Sequence, residues 1–389
     1  MAIPSETDKE NPDMRFVNFL IKPASSACNL RCRYCFYEDE AQNREQACMG
    51  RMDSATAEKL IDRAFEASEP GGTVTFTFQG GEPTVAGLPF FEAFTACARA
   101  KQPPKVTLAF SIQTNGTLLT EDWAAFFQRE GFLVGLSLDG YRENHNAWRV
   151  DPQGGETWGS CMAALELLKR YRVDVNALCV VTGPCARHPK KAYEALKRLG
   201  FDYIQFIACL DPLGEPRGGR PWSLTPSAYG KFLCQLFDLW YRDWETGHYH
   251  SIRLFDDYIH ILLGDSTSTC ATCGRCGGYF VAEADGSLYP CDFYVLDQWK
   301  LGTLDSGPLE ALRSGADYRR FLDLGARPPE KCRACQWGRL CRGGCKNDWV
   351  WQDGAPENYY CASFQALFRY ALPRMLRIAR EEAKQRQRP

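Results

Sequence analysis

The sequence predicts an α/β protein that consists of a partial (β/α)6 barrel, a small cysteine-rich domain and a C-terminal helix. Two patterns lead to this prediction: strand-like and helix-like runs alternate over the first two hundred residues, and cysteines are concentrated from residue 270 onward. Parallel strands need long crossover connections, so strands that alternate with helices indicate parallel βαβ units. Six repeats suit a partial or open barrel, and a doubly wound sheet is the alternative that periodicity does not separate from it.

Six β-rich runs account for the strands of the predicted barrel. They are residues 16–22, 73–78, 105–113, 132–137, 174–182 and 203–208. The helical patterns between them are 88–101, 120–129, 157–171 and 189–199. An earlier helix begins at Asp53 or Ser54, either of which can cap it, and runs to Ala67. In either architecture the reactive side chains are expected at the carboxyl ends of the strands, because ligands bind there in both folds.

The alternation of strands and helices stops after the sixth strand. A loop at Pro212–Pro221 and a helical run at 226–246 follow, and Cys270–Cys361 is dense in Cys, Gly and short turns. This segment has few apolar runs, so its side chains alone cannot form a hydrophobic core. Small domains of this kind usually depend on bound metal for their stability. The predicted units are a flexible N-terminus at 1–15, the barrel at 16–250, the cysteine-rich domain at 251–362 and the C-terminal helix with its tail at 363–389.

The composition favours a cytoplasmic metal protein. The 389 residues include 19 cysteines, several of them in C-x2-C pairs, and the N-terminal residues lack the apolar core of a secretory signal. A cysteine-rich cytosolic chain is better explained by metal binding or catalysis than by disulfides. The net charge of −2 gives no basic footprint for nucleic acid, and the longest apolar runs are too short to cross a membrane.

A cysteine triplet follows the first predicted strand. Cys28, Cys32 and Cys35 have C-x3-C-x2-C spacing. Three thiolates can hold three corners of a four-iron cluster and leave the fourth iron without a protein ligand, whereas such clusters usually take four cysteines. The missing ligand predicts a small molecule on the open iron, as an open coordination position does in catalytic zinc sites. A zinc knuckle is the alternative for this spacing alone.

The C-terminal cysteines form a longer pattern. Cys276 is followed by nine residues, Gly286, four residues and Cys291, and Cys270 stands just upstream. The pattern then continues as Cys332-x2-Cys335-x5-Cys341-x3-Cys345 and ends at Cys361. Zinc ribbons are the alternative for C-x2-C pairs, but the N-terminal triplet in the same chain argues against them.

These motifs together resemble those of the radical S-adenosylmethionine (SAM) superfamily, and within it the enzymes that carry a SPASM-type domain. The similarity extends from about residue 16 to residue 375 and is greatest to the anaerobic sulfatase-maturating enzymes. The runs that carry it, besides the cysteines, are Ile21–Ser26, Phe36-Tyr37, Gln79–Thr84, Gln113–Gly116 and Cys291–Tyr294. The resemblance implies a partial (β/α)6 radical SAM barrel over 16–250 and a SPASM-type domain over 251–362.

The resemblance also implies the reaction and the cofactors. A 5′-deoxyadenosyl radical made from SAM would oxidise a Cys or Ser side chain of a sulfatase to Cα-formylglycine. Three [4Fe-4S] clusters would be present, and Cys28, Cys32 and Cys35 would hold the one that binds SAM. The first auxiliary cluster would be held by Cys270, Cys276, Cys291 and Cys345. The second would be held by Cys332, Cys335, Cys341 and Cys361.

Further residues are assigned to SAM by the same resemblance. Tyr34, just before the third cysteine of the triplet, would lie near the adenine, and ordinary packing is its alternative. Gly80 and Gly81 permit close backbone approach and would offer carbonyls to the methionine ammonium, with Glu82 nearby. The candidates for the SAM carboxylate are Ser137 at the end of the fourth strand and Arg149, whose guanidinium suits carboxylates. A surface salt bridge is the alternative for Arg149.

Asp292, directly after the cluster ligand Cys291, is the candidate general base. Oxidation of a thiol or hydroxyl carbon requires loss of the proton on the heteroatom, which a carboxylate within hydrogen-bond reach accepts. The alternative is an Asp that binds backbone amides around the cluster. The resemblance also implies that Tyr37 and Gln79 would touch the substrate peptide near the reacting carbon. Cys273 lies between two assigned ligands and could replace either, and most of the other unassigned cysteines are expected to be small buried hydrophobes.

Three functional interpretations follow from these residues. The first is the sulfatase maturase, which would act on an unfolded or nascent sulfatase polypeptide and receive electrons from a flavodoxin- or ferredoxin-like reductant. The second is another SPASM-type peptide maturase that forms a thioether or carbon–carbon crosslink. The third is a non-catalytic electron carrier or zinc-binding module, against which the triplet and the Gly-Gly-Glu-Pro turn both count. The choice between a Cys and a Ser target is open at this point.

Overall fold

The computed structural model describes residues 16–326, 330–352 and 355–387. The predicted flexible segment 1–15 lies outside the described residues. The strands in this part of the chain are β1 Phe16–Ile21, β2 Thr73–Phe78, β3 Thr107–Thr114, β4 Leu133–Ser137, β5 Asp174–Val181, β6 Tyr203–Ala208, β7 Ser251–Ile252, β8 Phe280–Ala282, β9 Ser287–Tyr289, β10 Gly302–Thr303, β11 Trp349–Gln352 and β12 Ala355–Asn358. The first six coincide with the six predicted strands to within two residues.

One sheet of ten strands forms the frame of the molecule. Its order is β10-β9-β8-β1-β2-β3-β4-β5-β6-β7, and each neighbouring pair from β8 and β1 through to β7 is parallel. A doubly wound sheet reverses its strand order at a switch point. Here the six barrel strands follow one another in sequence order without a reversal, so the predicted partial barrel is confirmed and the doubly wound alternative is wrong.

Helices cross from each strand to the next. The α-helices of the described residues are α1 Phe36–Gln42, α2 Ser54–Glu66, α3 Leu88–Lys101, α4 Glu121–Glu130, α5 Arg142–Trp148, α6 Trp158–Arg170, α7 Gly183–Ala186, α8 Pro189–Arg198, α9 Pro226–Glu245, α10 Arg253–Leu263, α11 Cys270–Cys273, α12 Leu309–Arg313, α13 Ala316–Ala326, α14 Glu330–Arg333, α15 Gly338–Cys341 and α16 Cys361–Arg386. Helix α2 shows why they form: the Asp53 carboxylate caps it by accepting the Thr56 N–H at 2.7 Å. Its buried face includes Leu60 and Ile61.

The core between the sheet and its helices is rich in phenylalanine. Alternate side chains of a strand face opposite sides, and β2 places Phe76 and Phe78 on the side of the helices. Both rings meet the edge of Phe94 from α3, with centroids 5.1 Å apart. Offset and edge-on aromatic pairs of this kind add to the free energy gained by burying the rings. This packing holds the strands of the barrel at a defined distance from the helices.

The opposite face of the same strands is polar and lines the inside of the partial barrel. Thr75, Thr77 and Gln79 alternate with the buried phenylalanines of β2 and are half-buried. Thr77 hydrogen-bonds across the sheet to Ser111 of β3, with 2.8 Å between the hydroxyl oxygens. The inside of the barrel therefore offers hydroxyl and amide groups rather than a closed apolar core, as a polar substrate requires.

The C-terminal half of the chain returns to this frame. Strands β8 to β10 extend the sheet beyond β1, and α16 packs along α9, where the Ser363 hydroxyl donates to the Pro226 carbonyl at 2.7 Å. The final helix runs over Cys361–Arg386, where the sequence predicts one at about 363–383. The predicted domain boundaries near 250 and 362 stay a prediction. Among the described residues, no helix is both long and apolar enough to span a membrane.

Two buried ion pairs join α1 to the sheet. Lys22, which follows β1, pairs with Glu40 at 2.6 Å, and Arg44, just beyond α1, pairs with Glu283 after β8 at 2.6 Å. All four side chains are at most 3% exposed. A buried charge without a partner is costly, so each pair ties α1 to a strand that carries the complementary charge. Because Glu283 follows β8, the second pair also links the two halves of the chain.

We expect Arg44→Met to lower the free energy of unfolding by about 3–5 kcal/mol, because Glu283 would then be a buried charge without its partner. Urea denaturation followed by circular dichroism measures the change. The double variant Arg44→Met/Glu283→Leu should recover most of the loss, since it removes both charges. Lys59→Met, which breaks the exposed pair with Asp305, is the matched control and should leave the midpoint nearly unchanged. Equal effects of Arg44→Met and Lys59→Met would contradict the argument.

Candidate active site

The cysteine triplet lies on the loop that leaves β1. Cys28, Cys32 and Cys35 are half-buried, and each thiol affects the charge state of its neighbours. The loop is held in place by the backbone N–H groups of Arg31 and Arg33, which donate to the carbonyls of Val150 and of Trp148 at the end of α5. Burial raises the pKa of Cys28 to about 11 and that of Cys32 to about 12. These thiols need a nearby positive charge to ionise, which a bound metal supplies.

The Gly-Gly-Glu-Pro turn packs directly on this loop. Gly80 and Gly81 have positive φ values of 106° and 54°. A Cβ on Gly80 would lie 2.5 Å from Lys22 Cγ, and one on Gly81 would lie 2.4 Å from the Ala27 carbonyl oxygen. Both positions therefore require glycine on grounds of conformation and of space. The close approach brings the backbone of the turn against the chain that leads to Cys28.

Glu82 is buried, and its carboxylate is turned inward to hydrogen-bond with neighbouring residues of the protein. One oxygen accepts hydrogen bonds from the Thr84 N–H, the Thr84 hydroxyl and the Thr114 hydroxyl. The other oxygen accepts from the Asn115 N–H at 2.8 Å. Burial raises its pKa, and these hydrogen bonds oppose that effect. In this structure Glu82 joins the turn to the end of β3.

Tyr34 and Arg149 meet at a carboxylate that the sequence reasoning missed. Asp139, two residues after Ser137, accepts a hydrogen bond from the Tyr34 hydroxyl and pairs with Arg149 through Nε at 3.1 Å and Nη2 at 3.3 Å. The Arg149 guanidinium also lies over the Tyr34 ring, 5.5 Å from its centroid. Arg149 is buried, so its ion pair is not the surface salt bridge weighed as its alternative. The signal available in the sequence was the Ser-Leu-Asp-Gly run at the end of β4.

Asp292, Tyr37 and Gln79 converge at the carboxyl end of the strands. The Tyr37 hydroxyl donates to Asp292 Oδ2 at 2.7 Å, and Gln79 Nε2 donates to the Tyr37 oxygen at 2.5 Å and to Asp292 Oδ2 at 3.2 Å. The other carboxylate oxygen, Oδ1, is buried and has no partner among the described residues. A buried carboxylate oxygen is costly without a hydrogen bond, so this atom is suited to a group that arrives with a substrate.

Lys22 and Glu40 complete the surroundings of Asp292. Burial raises the pKa of Asp292, while the Lys22 charge and the Tyr37 hydrogen bond oppose that effect. The Lys22 ammonium lies 4.9 Å from the centroid of the Tyr37 ring. Burial raises the pKa of Glu40 to about 7, and Lys22 acts against that shift. The sequence reasoning gave neither residue a role, although Lys22 stands in the Ile21–Ser26 run.

The first set of C-terminal cysteines also gathers in space. Burial lowers the pKa of the Lys346 ammonium, while the thiols of Cys276, Cys291, Cys345 and Cys270 all act to raise it. These are the four cysteines assigned to the first auxiliary cluster, and all four lie close to one buried cation. Cys291 follows β9, whereas the other three come from α11 and from the loops beside it and after α15.

The second set is formed by Cys332, Cys335, Cys341 and Cys361. Burial and the other three thiols together raise the pKa of Cys341 to about 11, with burial the largest cause. A single zinc ion would draw its four sulfurs to about 2.3 Å from one point. Within residues 16–326, 330–352 and 355–387, no three Cys, His, Asp or Glu side chains converge in that way.

Four of the eight unassigned cysteines are buried, where the sequence predicts burial for most of them. Cys161, Cys179, Cys185 and Cys209 are buried in the core between the sheet and its helices. Cys97, Cys234 and Cys273 are half-buried, and Cys48 is exposed.

Sequence models of two protein families match this chain. The radical SAM superfamily matches residues 23–196, which include the triplet, the Gly-Gly-Glu-Pro turn and the strands β2 to β5. The SPASM family, an iron–sulfur cluster-binding domain, matches residues 264–336. The first match lies within the predicted barrel and the second within the predicted cysteine-rich region, and the boundaries of the two units stay a prediction.

Curated relatives and solved structures match over almost the whole chain. A cysteine-type anaerobic sulfatase-maturating enzyme of Clostridium perfringens is 44% identical over 365 residues, covering 93% of this chain and 98% of the relative. A serine-type enzyme of Klebsiella aerogenes is 32% identical over 355 residues, covering 90% and 84%. The structure of native anSMEcpe with bound AdoMet and Cp18Cys peptide is 44% identical, with a TM-score of 0.88 and coverage of 94% and 99%.

The cysteine-type relative and this solved structure each match more than nine-tenths of the chain. The chain therefore belongs to the radical SAM superfamily, within the family of SPASM-containing anaerobic sulfatase-maturating enzymes.

Proposed function

We propose that this protein oxidises a cysteine side chain of a sulfatase polypeptide to Cα-formylglycine. The observation that carries the proposal is the buried Asp292 carboxylate, which Tyr37 and Gln79 hold through one oxygen while the other has no partner among the described residues. The identity of 44% to the cysteine-type enzyme against 32% to the serine-type enzyme supports Cys as the target. The crosslinking alternative has no particular observation in its favour.

When bound, SAM and the clusters supply a radical that takes a hydrogen atom from the target Cβ and an acceptor for the second electron. The protein's own task is then to accept the proton of the target thiol. Asp292 Oδ1 is suited to this step because Tyr37 and Gln79 occupy only the other oxygen. Loss of a hydrogen atom, a proton and an electron leaves a thioaldehyde, and water converts it to the aldehyde and hydrogen sulfide. A general base in such a step contributes about 10²–10⁴-fold in rate.

The proposed SAM-binding residues contact different groups of the SAM molecule. Arg149 would bind the SAM carboxylate beside Ser137, since Asp139 occupies Nε and Nη2 and leaves Nη1 without an acceptor among the described residues. Gly80 and Gly81 would present backbone carbonyls to the methionine ammonium. Glu82 would act there by holding the turn, and Tyr34 would lie beside the adenine.

The ligand sets are proposed as predicted from the sequence, with three [4Fe-4S] clusters. The thiols of Cys270, Cys276, Cys291 and Cys345 all act to raise the pKa of the Lys346 ammonium, which supports that set. Cys273 acts in turn on the pKa of Cys270 and of Cys276, so it is kept as the alternative to either. We also propose a cytoplasmic location and a flavodoxin- or ferredoxin-like reductant.

We expect the anaerobically reconstituted enzyme to convert sulfatase-derived peptides with Cys at the target position faster than matched peptides with Ser. The assay contains SAM and a reductant, and mass spectrometry detects the aldehyde. A peptide deuterated at the Cys Cβ should transfer deuterium into 5′-deoxyadenosine, because the hydrogen atom comes from that carbon. Cys32→Ala is the control without radical chemistry. SAM cleavage with no change in the mass of either peptide would refute the proposed function.

We expect Asp292→Asn to form aldehyde about 100-fold more slowly or worse, while SAM cleavage in the absence of peptide continues, because an amide does not accept the thiol proton. Parallel quantification of 5′-deoxyadenosine and aldehyde measures both reactions. The matched control is Asp297→Asn, the same change at an exposed residue that begins the next 3-10 turn. Aldehyde formation at the unaltered rate in Asp292→Asn would remove Asp292 from the role of base.

We expect the reconstituted enzyme to contain about twelve iron atoms per chain, and Cys270→Ala to lose about four of them. Cys273→Ala is the matched control, three residues away, and should keep the full content. Iron analysis and electron paramagnetic resonance of the reduced protein report the outcome. Loss of iron in Cys273→Ala with retention in Cys270→Ala would exchange the two assignments.

A further inference from the structure

Tyr279 stands where the cysteine-rich region enters the sheet, immediately before β8. Its ring packs against an apolar cluster of Leu20, Val281, Tyr289 and Val295. Side chains alternate along the strand, so Tyr279 and Val281 share one face while Phe280 enters the phenylalanine-rich core on the other. The apolar side chains of this cluster are therefore sufficient to hold the ring in place.

The Tyr279 hydroxyl makes two contacts that this packing does not require. Its oxygen lies 3.6 Å from Cys291 Sγ, and the Asp292 backbone N–H donates to the same oxygen at 3.3 Å. A thiolate that ligates iron has no proton, so the hydroxyl is the donor in the first contact. Its lone pair accepts the amide in the second. One hydroxyl thus touches both the proposed cluster ligand and the backbone of the proposed base.

We propose that Tyr279 is a positioning residue that raises the reduction potential of the first auxiliary cluster and holds Asp292 in place through the same hydroxyl. The inference rests on the proposed function for the role of Asp292. The proposed effect on the reduction potential depends only on the assignment of Cys291 as a ligand of that cluster.

The effect on the cluster follows from charge. Reduction adds an electron, and part of the added negative charge resides on the cysteine sulfurs. A hydrogen bond to a sulfur stabilises the reduced form more than the oxidised form, and so raises the potential. A cluster with a raised potential is a better acceptor for the electron that the substrate must lose after the hydrogen atom has gone.

The effect on Asp292 follows from the geometry of its backbone. Asp292 is the first residue of the 3-10 turn Asp292–Tyr294, and no side chain caps that turn at Cys291. The first N–H groups of a helical turn have no partner within the turn. The Tyr279 hydroxyl supplies the acceptor for one of them. It thereby fixes the start of the turn from which the Asp292 side chain reaches Tyr37.

Tyr279→Phe tests the proposal, because it removes the hydroxyl and keeps every apolar contact of the ring. Tyr289→Phe is the matched control, because it removes the same atom from the same apolar cluster. Both changes are made in wild-type enzyme and in a Cys28→Ala/Cys32→Ala/Cys35→Ala background. That background keeps only the two auxiliary clusters, with about eight iron atoms.

Potentiometric titration followed by electron paramagnetic resonance in the background variant gives the midpoints of the two auxiliary clusters. We expect Tyr279→Phe to shift one midpoint to more negative potential and to leave the other unchanged. Tyr289→Phe should shift neither. Two unchanged midpoints in Tyr279→Phe would overturn the proposal. This readout needs no substrate, so it stands even if no sulfatase peptide is converted and the proposed function fails.

The second measurement is the aldehyde formed per 5′-deoxyadenosine with the full enzyme. Tyr279→Phe should lower this ratio by about tenfold or more, as losses of outer-shell partners do, while SAM cleavage continues. An unchanged ratio would refute the part of the proposal that concerns Asp292. If Tyr279→Phe loses iron, 3-fluorotyrosine at position 279 replaces it as the test. This residue keeps the hydroxyl and strengthens it as a donor, so the midpoint must move to more positive potential, and any other result overturns the proposal.

Discussion

The parallel pairing of β8 with β1 is the constraint on which the site depends. The register Phe19 with Phe280, Leu20 with Val281 and Ile21 with Ala282 aligns the start of the cysteine-rich region with the first barrel strand. With this register, the chain that leaves β8 and β9 places Asp292 against Tyr37 and Gln79. These two residues lie 255 and 213 positions away from Asp292 in the sequence. A slip of one residue would turn every side chain of β8 to the other face. The phenylalanine core and the site would then both be lost.

Beside this pair of strands, buried carboxylates outnumber buried cations by three to two. Lys22 and Arg44 face three buried carboxylates, namely Glu40, Glu283 and Asp292. Glu283 forms an ion pair with Arg44, and Glu40 forms one with Lys22. Of the three carboxylates, Asp292 is therefore the one that does not form an ion pair with either cation. Neutral donors, the Tyr37 hydroxyl and the Gln79 amide, hold it instead. Hydrogen bonds from neutral donors stabilise a carboxylate less than an ion pair does, and so leave it more able to take up a proton.

The sequence predicts the barrel well because strand alternation and crossover helices are local patterns. β2 shows this directly: its phenylalanines and threonines alternate over the whole strand. The two-residue and three-residue strands from β7 to β10 carry no such pattern, and the sheet acquires them only through tertiary pairing. Asp139 was missed for a related reason, because its role consists of contacts to Tyr34 and Arg149 that lie elsewhere in the chain. Motif spacing reveals ligand sets, whereas ion-pair partners depend on the fold.

The order Cys291-Asp292 has a physical consequence for the proposed reaction. Consecutive Cα atoms lie about 3.8 Å apart, so the ligand of the first auxiliary cluster and the proposed base are fixed as neighbours. Cys291 has extended backbone angles, φ −165° and ψ 149°, and side chains that follow one another in extended chain point to opposite sides. Cys291 would thus face the proposed cluster, while the Asp292 side chain reaches Tyr37 and Gln79. The proton and the electron of one substrate carbon can then leave to adjacent acceptors without competing for the same space.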